Sequence, residues 1–128
     1  MLDVLPAATT DQVASPPLVP SEQPIDLTHL FRMTLGDHSL EREVLALFER
    51  QADMLIGRMA GLEAAAVAAL AHTLKGSARG IGAWHVARAA EEVERSAAAG
   101  TDLAHAIDGL AAAARDARGV IADLLGRR

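Results

Sequence analysis

The chain has 128 residues, a net charge of −5, 51% hydrophobic residues and no cysteine. That length suits one domain built on one core, and the missing cysteines exclude disulfides and thiolate metal sites. The acidic balance, with Arg scattered among Glu, argues against nucleic acid as a partner, which calls for a basic stripe.

Two Phe, one Trp and no Tyr leave Ala, Leu and Val to build the core, a composition that favours closely spaced helices over a sheet. No alternating run of β-branched or aromatic residues marks a strand. No stretch of about 18 apolar residues is free of charge, so no membrane span is expected. The N-terminus has no basic region and carries Asp3, which argues against a signal peptide and leaves a cytoplasmic location as the expectation.

In chain order, all five prolines (Pro6, Pro16, Pro17, Pro20 and Pro24) fall in the first 24 residues. Residues 1–24 read as a disordered Pro/Ala-rich tail, and residues 25–128 as the helical domain. Asp26 is placed to cap a short first helix running to Leu35, where Gly36 stops it. A second helix is expected from Asp37 or Ser39 to Met59, with Leu40, Val44, Leu47, Met54 and Leu55 as its core stripe and Phe48 and Ile56 on the flanks. Gly61 breaks it. A third helix covers 62–79, with Gly80 and Gly82 as its stop. A fourth, over 83–98, packs Val86, Ala87, Ala90, Val93 and Ala97. Gly100 closes that helix, and Thr101 or Asp102 caps a fifth running from Leu103 to Leu125. Such short connections force neighbours antiparallel. The expected fold is all-α: an antiparallel up-down four-helix bundle with the short N-terminal helix across one end.

The chemistry is concentrated on the third helix. Lys75, Gly76 and Arg79 follow His72 at i+3, i+4 and i+7, the spacing of one helix face. Val67, Leu70, Leu74, Ala78 and Ile81 occupy the opposite face. The core takes the apolar side, so His72 faces outward. A phosphoryl-accepting histidine needs a neutral ring nitrogen, cationic help for the phosphoryl oxygens and room for in-line approach. Lys75 and Arg79 offer the charge. Gly76 removes a side chain inside a helix, where glycine costs about 1 kcal/mol relative to alanine, which suggests a steric need. Ala65, Ala68 and Ala69 extend the face as a smooth shelf for a partner. Folding the third and fourth helices about Gly82 brings Glu94 level with His72. There its carboxylate can accept the Nδ1 proton and leave the Nε2 lone pair free. A surface ion pair of Glu94 with Arg95 or another cation is an equal alternative.

His72, Leu74, Lys75, Gly76, Ser77, Ala78, Gly82 and Ala83 together resemble the motif of the histidine-containing phosphotransfer (HPt) family of bacterial phosphorelays. The resemblance extends to the helical organisation over residues 25–125. It implies that His72 is the phosphorylated residue, with Lys75 and Gly76 beside it and Glu94 in the position of the Glu or Gln bonded to the histidine. Gly80 replaces a residue more often Asn, Ser or Ala, and an earlier helix end is the expected effect. The resemblance further implies that receiver domains dock over this face. A receiver phosphoaspartate with its own Mg²⁺ would pass the phosphoryl group to Nε2, and a second receiver aspartate would take it on.

The chain itself shows no acidic cluster near His72 to hold a metal and no Gly-rich nucleotide loop. No cofactor and no self-phosphorylation are expected, and the resemblance implies a phosphocarrier rather than an enzyme. Two further readings stay open. His72 could be the acceptor module of a hybrid or chemotaxis-type histidine kinase, or the face could bind receivers without transfer. A metal site is disfavoured, since His29, His38, His85 and His105 show no ligand spacing and read as structural or exposed. Trp84 is expected to pack near Ile81, and Phe31, Met33 and Phe48 are expected in the core. Glu91 and Glu92 read as solvated. A monomer is expected, because the alanine-rich seams can be satisfied within one chain.

Overall fold

The computed structural model describes residues 23–127, so the tail expected over 1–24 lies outside the described residues apart from Gln23 and Pro24. Five α-helices and no strand occur among the described residues. They are α1 (Leu27–Met33), α2 (His38–Gly57), α3 (Ala64–Ile81), α4 (Trp84–Ala99) and α5 (Leu103–Leu124).

Side-chain capping starts the first two helices. Asp26 Oδ1 accepts from the His29 amide at 3.1 Å, and Asp37 Oδ1 from that of Leu40 at 3.0 Å, each satisfying a donor that a helix start leaves unpaired. α1 ends two residues before the expected Leu35. Thr34 turns its hydroxyl back to the Leu30 carbonyl at 2.9 Å, and Leu35 and Gly36 enter the left-handed region at φ 55° and 74°.

The core of α2 corrects the expected stripe. Leu45, Phe48, Ala52 and Leu55 are buried, continued by Met59, whereas Leu40, Leu47 and Met54 face solvent. Two stripes with alternating three- and four-residue steps run along this helix. The one through Leu40, Val44, Leu47 and Met54 also contains Gln51, whose amide would need a buried partner. The uninterrupted stripe goes inward. Phe31 and Met33 are likewise exposed and not in the core, because α1 buries only His29 and Leu30 along its length.

α3 begins at Ala64, and Gly80 does not end it. The helix runs to Ile81 and stops at Gly82, with φ 84°, where Ala83 N–H donates to the Ala78 carbonyl at 2.8 Å. This six-to-one closure needs a left-handed residue at Gly82. α5 starts after Asp102 as expected, yet Asp102 sits at φ 59° and its side chain makes no capping bond. On α4 the buried residue of the last turn is Ser96, and Ala97 is half-buried.

Val67, Leu74, Val86, Val93, Leu110 and Ile121 are fully buried at the centre, each burial contributing about 1.5–3 kcal/mol. Ala71, Ala78 and Ala90 have no exposed surface, and their small size lets the helices approach closely. α3 and α4 share the most extensive interface, α4 packs on α5, α2 packs on both α3 and α5, and α1 rests on α3.

One polar cluster fastens α1. Asp26 N–H donates to the Gly82 carbonyl at 2.9 Å, and Asp26 Oδ2 accepts from the Trp84 indole at 2.9 Å. His29 Nε2 lies 3.2 Å from the Gly80 carbonyl, so this nitrogen carries the proton, and the ring meets Trp84 edge-on at 4.9 Å. Trp84 is therefore buried against Asp26 and His29.

Candidate functional site

α3 presents His72 from the middle of its length. The buried positions of this helix are Val67, Ala71, Leu74 and Ala78, and His72 projects away from them with 71% of its side chain exposed. Ala71 and Leu74 anchor the helix on either side, so the imidazole is displayed from a rigid element.

α4 supplies the second group. Val93 points into the core, which turns Glu94 toward α3. Glu94 Oε2 lies 2.9 Å from His72 Nδ1, and Glu94 Oε1 lies 2.6 Å from Lys75 Nζ. Oε1 is shut off from solvent and Lys75 is largely covered. The lysine contact is a close ion pair rather than a well-directed hydrogen bond. Arg95 pairs with Glu92 at 3.0 Å instead. Burial pushes the Glu94 carboxyl up, but the close Lys75 ammonium and the His72 contact outweigh it and hold the group below its ordinary value. An ionised Glu94 accepts from His72 Nδ1–H. The neutral ring then carries its lone pair on Nε2, directed away from Glu94.

The other residues singled out in the sequence divide in two. Gly76 is exposed, and a Cβ built there would meet nothing within 4 Å. No contact among the described residues requires glycine at that position. Ala65 and Ala69 are exposed and Ala68 half-buried, forming a low surface along α3. Arg79 is exposed and makes no hydrogen bond or ion pair with any described residue, so it does not join the His72–Glu94–Lys75 cluster. Among the described residues, no group of three His, Asp or Glu side chains could hold a metal ion. Nor is any helix there long and apolar enough to cross a membrane.

Two surface features escaped the sequence reading. Leu47 and Met54 are 55% and 54% exposed, and an open groove of about 440 Å³ between α2 and α3 is lined by Val44, Leu47, Phe48, Gln51, Ser77 and Ile81. Gln51 within the apolar stripe was the signal that this side of α2 faces out. The second feature is a cleft of about 220 Å³ at the start of α4, lined by Arg79, Trp84, Ala87, Arg88 and Glu91.

Comparison with known proteins gives a consistent result. The family model for the Hpt domain matches residues 43–120, a stretch that contains His72, Lys75 and Glu94. No curated protein matches the chain. Among solved structures, the fold superposes on a rice protein described as a "putative histidine-containing phosphotransfer protein". The TM-score is 0.72, covering 81% of each chain at 20% sequence identity, a likeness that speaks for the fold.

Proposed function

Because the chain belongs to the Hpt domain family, with a role in a phosphorelay, we propose that His72 is its phosphoacceptor and that the protein relays phosphoryl groups between receiver-domain aspartates. The observation that carries this reading is the Glu94–His72 contact on Nδ1 at 2.9 Å. It leaves Nε2 as the exposed nucleophile. In the forward step the Nε2 lone pair attacks the phosphorus of a receiver phosphoaspartate in line. The P–N bond forms as the acyl-phosphate P–O bond breaks, and the aspartate leaves as a carboxylate. Glu94 balances the positive charge that develops on the ring, and Lys75 keeps Glu94 ionised. The receiver brings the Mg²⁺ that shields its own phosphoryl oxygens. The reverse sequence delivers the group to a second receiver.

The packing order supports reading α2 to α5 as an up-down four-helix bundle with α1 across one end. The receiver docks over Ala65, Ala69 and Gly76, whose small side chains allow close approach to His72. The exposed Leu47, which lines the groove between α2 and α3 together with Ser77, adds an apolar contact that a partner would cover. The chain acts as a monomeric cytoplasmic carrier without an ATP site of its own.

The test is transfer from ³²P-labelled phospho-receivers to the wild-type protein and to His72→Gln. Acid-labile, alkali-stable label on the wild type alone supports the reading. Receivers that bind both proteins and transfer to neither would overturn it in favour of a binding module.

A further inference from the structure

The groove between α2 and α3 carries a polar feature that the reaction outlined above leaves unused. Val44, Leu47, Phe48 and Ile81 give it apolar walls, and Gln51 and Ser77 are its polar lining residues. Among the described residues no charged side chain lines it. Gln51 and Ser77 are both half-buried, and neither side chain makes a hydrogen bond with any described residue. An amide and a hydroxyl thus stand uncommitted between apolar walls.

Position ties this groove to the His72 face. Ser77 follows Gly76 on α3 and lies about 7.5 Å of axial rise beyond His72. Around the helix it stands about 140° from His72, with Gly76 and Thr73 at intermediate angles. A receiver that reaches His72 over Gly76 therefore meets the groove next, and Leu47 is the apolar contact it finds there. Covering the groove has a cost, because a polar group buried without a partner loses its hydrogen bonds to water. The same cost already acts in the fold, where it keeps the stripe containing Gln51 out of the core and leaves Leu47 exposed. It returns when a partner closes over that stripe.

We propose that Gln51 and Ser77 are specificity-determining residues, selecting receivers whose docking ridge sets a Ser, Thr, Asn or Gln side chain among apolar ones. A wholly apolar ridge would strand the Gln51 amide and the Ser77 hydroxyl. A charged ridge would lose solvent against walls that hold no counter-ion. An uncharged hydrogen-bonding side chain satisfies both groups and leaves the apolar contacts in place. Val44 to Gln51 covers about 10 Å of α2, room for two turns of a partner helix. Selection then works by penalising mismatched partners, not by tightening every complex. It rests on the reading of His72 as the acceptor that receivers approach.

The test uses the full chain and a panel of purified receiver domains. Calorimetric dissociation constants and transfer rates from the ³²P-labelled receivers are compared for the wild type, for Gln51→Met with Ser77→Ala, and for Leu47→Ala. Contacts to the Leu47 methyls in isotope-filtered NMR identify the receiver side chains that enter the groove. The receiver bound best by the wild type should place an uncharged polar side chain there. The double variant should bind that receiver more weakly and apolar ones more tightly, shrinking the ratio between them by roughly 5- to 100-fold. Leu47→Ala should weaken all receivers by a common factor and keep the ratio. Urea midpoints check that the variants fold, and Gln51→Met alone carries the comparison if the double variant does not. An unchanged ratio, a common shift in the double variant, or a best receiver with only apolar side chains in the groove would overturn the selection. If the ratios change as expected but no label reaches His72, the phosphocarrier reading fails alone. If label reaches His72 and the ratio stays, the selection fails alone. Receivers that bind none of the chains overturn both.

Discussion

Lys75 is held by Glu94, its ammonium 2.6 Å from Oε1, on the same carboxylate whose Oε2 lies 2.9 Å from His72 Nδ1. The structure ties it first to the residue that orients the imidazole, so its charge reaches the histidine through the carboxylate.

Glu94 is therefore the residue whose replacement should separate orientation from charge. Glu94→Gln retains an oxygen to accept from Nδ1–H but loses the ion pair with Lys75, whereas Glu94→Ala loses both. A hydrogen bond of this kind contributes about 0.5–1.5 kcal/mol, so Glu94→Ala should slow phosphorylation of His72 by about 2- to 12-fold, with Glu94→Gln in between. Nitrogen NMR of the imidazole is the direct check: the Nδ1–H tautomer should dominate in the wild type and lose its bias in Glu94→Ala.

Gly76→Ala should move stability and function in opposite directions. A Cβ there meets nothing within 4 Å, and a mid-helix alanine gains about 0.5–1 kcal/mol over glycine. Urea unfolding should show a higher midpoint. If the missing side chain serves a docked partner, the same variant should raise the receiver concentration needed for half-maximal transfer.

Gly82→Ala should be severe. The φ of 84° disfavours any side chain, and the added Cβ would lie 3.0 Å from the Asp26 carbonyl oxygen and 3.2 Å from His29 Cβ. Left-handed strain alone costs about 1–3 kcal/mol, and the clash would lift α1 from the α3–α4 corner. Urea unfolding should show the loss, together with a red shift and gain in solvent quenching of the fluorescence of Trp84, which is the only tryptophan.

Acid should weaken the same corner. Burial pushes the Asp26 carboxyl up, but hydrogen bonds from the Trp84 indole and the His29 amide, with the charge of His29, bring it below its ordinary value of 3.8. A carboxyl depressed in the folded state contributes stability that is complete above the unfolded value and is lost as pH falls through the folded one. Stability measured in urea from pH 6 downward should therefore decline below about pH 4, and Asp26→Asn should flatten that decline.

Much of this protein was legible in its sequence because its local signals agree with one another. Asp26, Asp37, Gly82 and Gly100 sit at helix boundaries, and the stripe from Val67 to Ala78 marks one unambiguous buried face. Glu94 could be placed level with His72 because a hairpin turning at Gly82 leaves little freedom of register. α2 was harder. It carries two apolar stripes, and only the buried cost of Gln51 distinguishes them. Gly80 was read as a stop from its local preference, but the closure at Gly82 and the bond from His29, 51 residues away, carry the helix past it. No local pattern reveals so distant a partner.

His72 and Glu94 are separated by only 22 residues, and both stand on the two helices that share the largest interface. Contacts this near in sequence close small loops and form early. Opening events that release α1 or the ends of α2 and α5 leave that hairpin paired. Amide hydrogens along the inner faces of α3 and α4 should accordingly be the slowest in the molecule to exchange with solvent, so that the His72 imidazole is carried by the part of the fold that comes apart last.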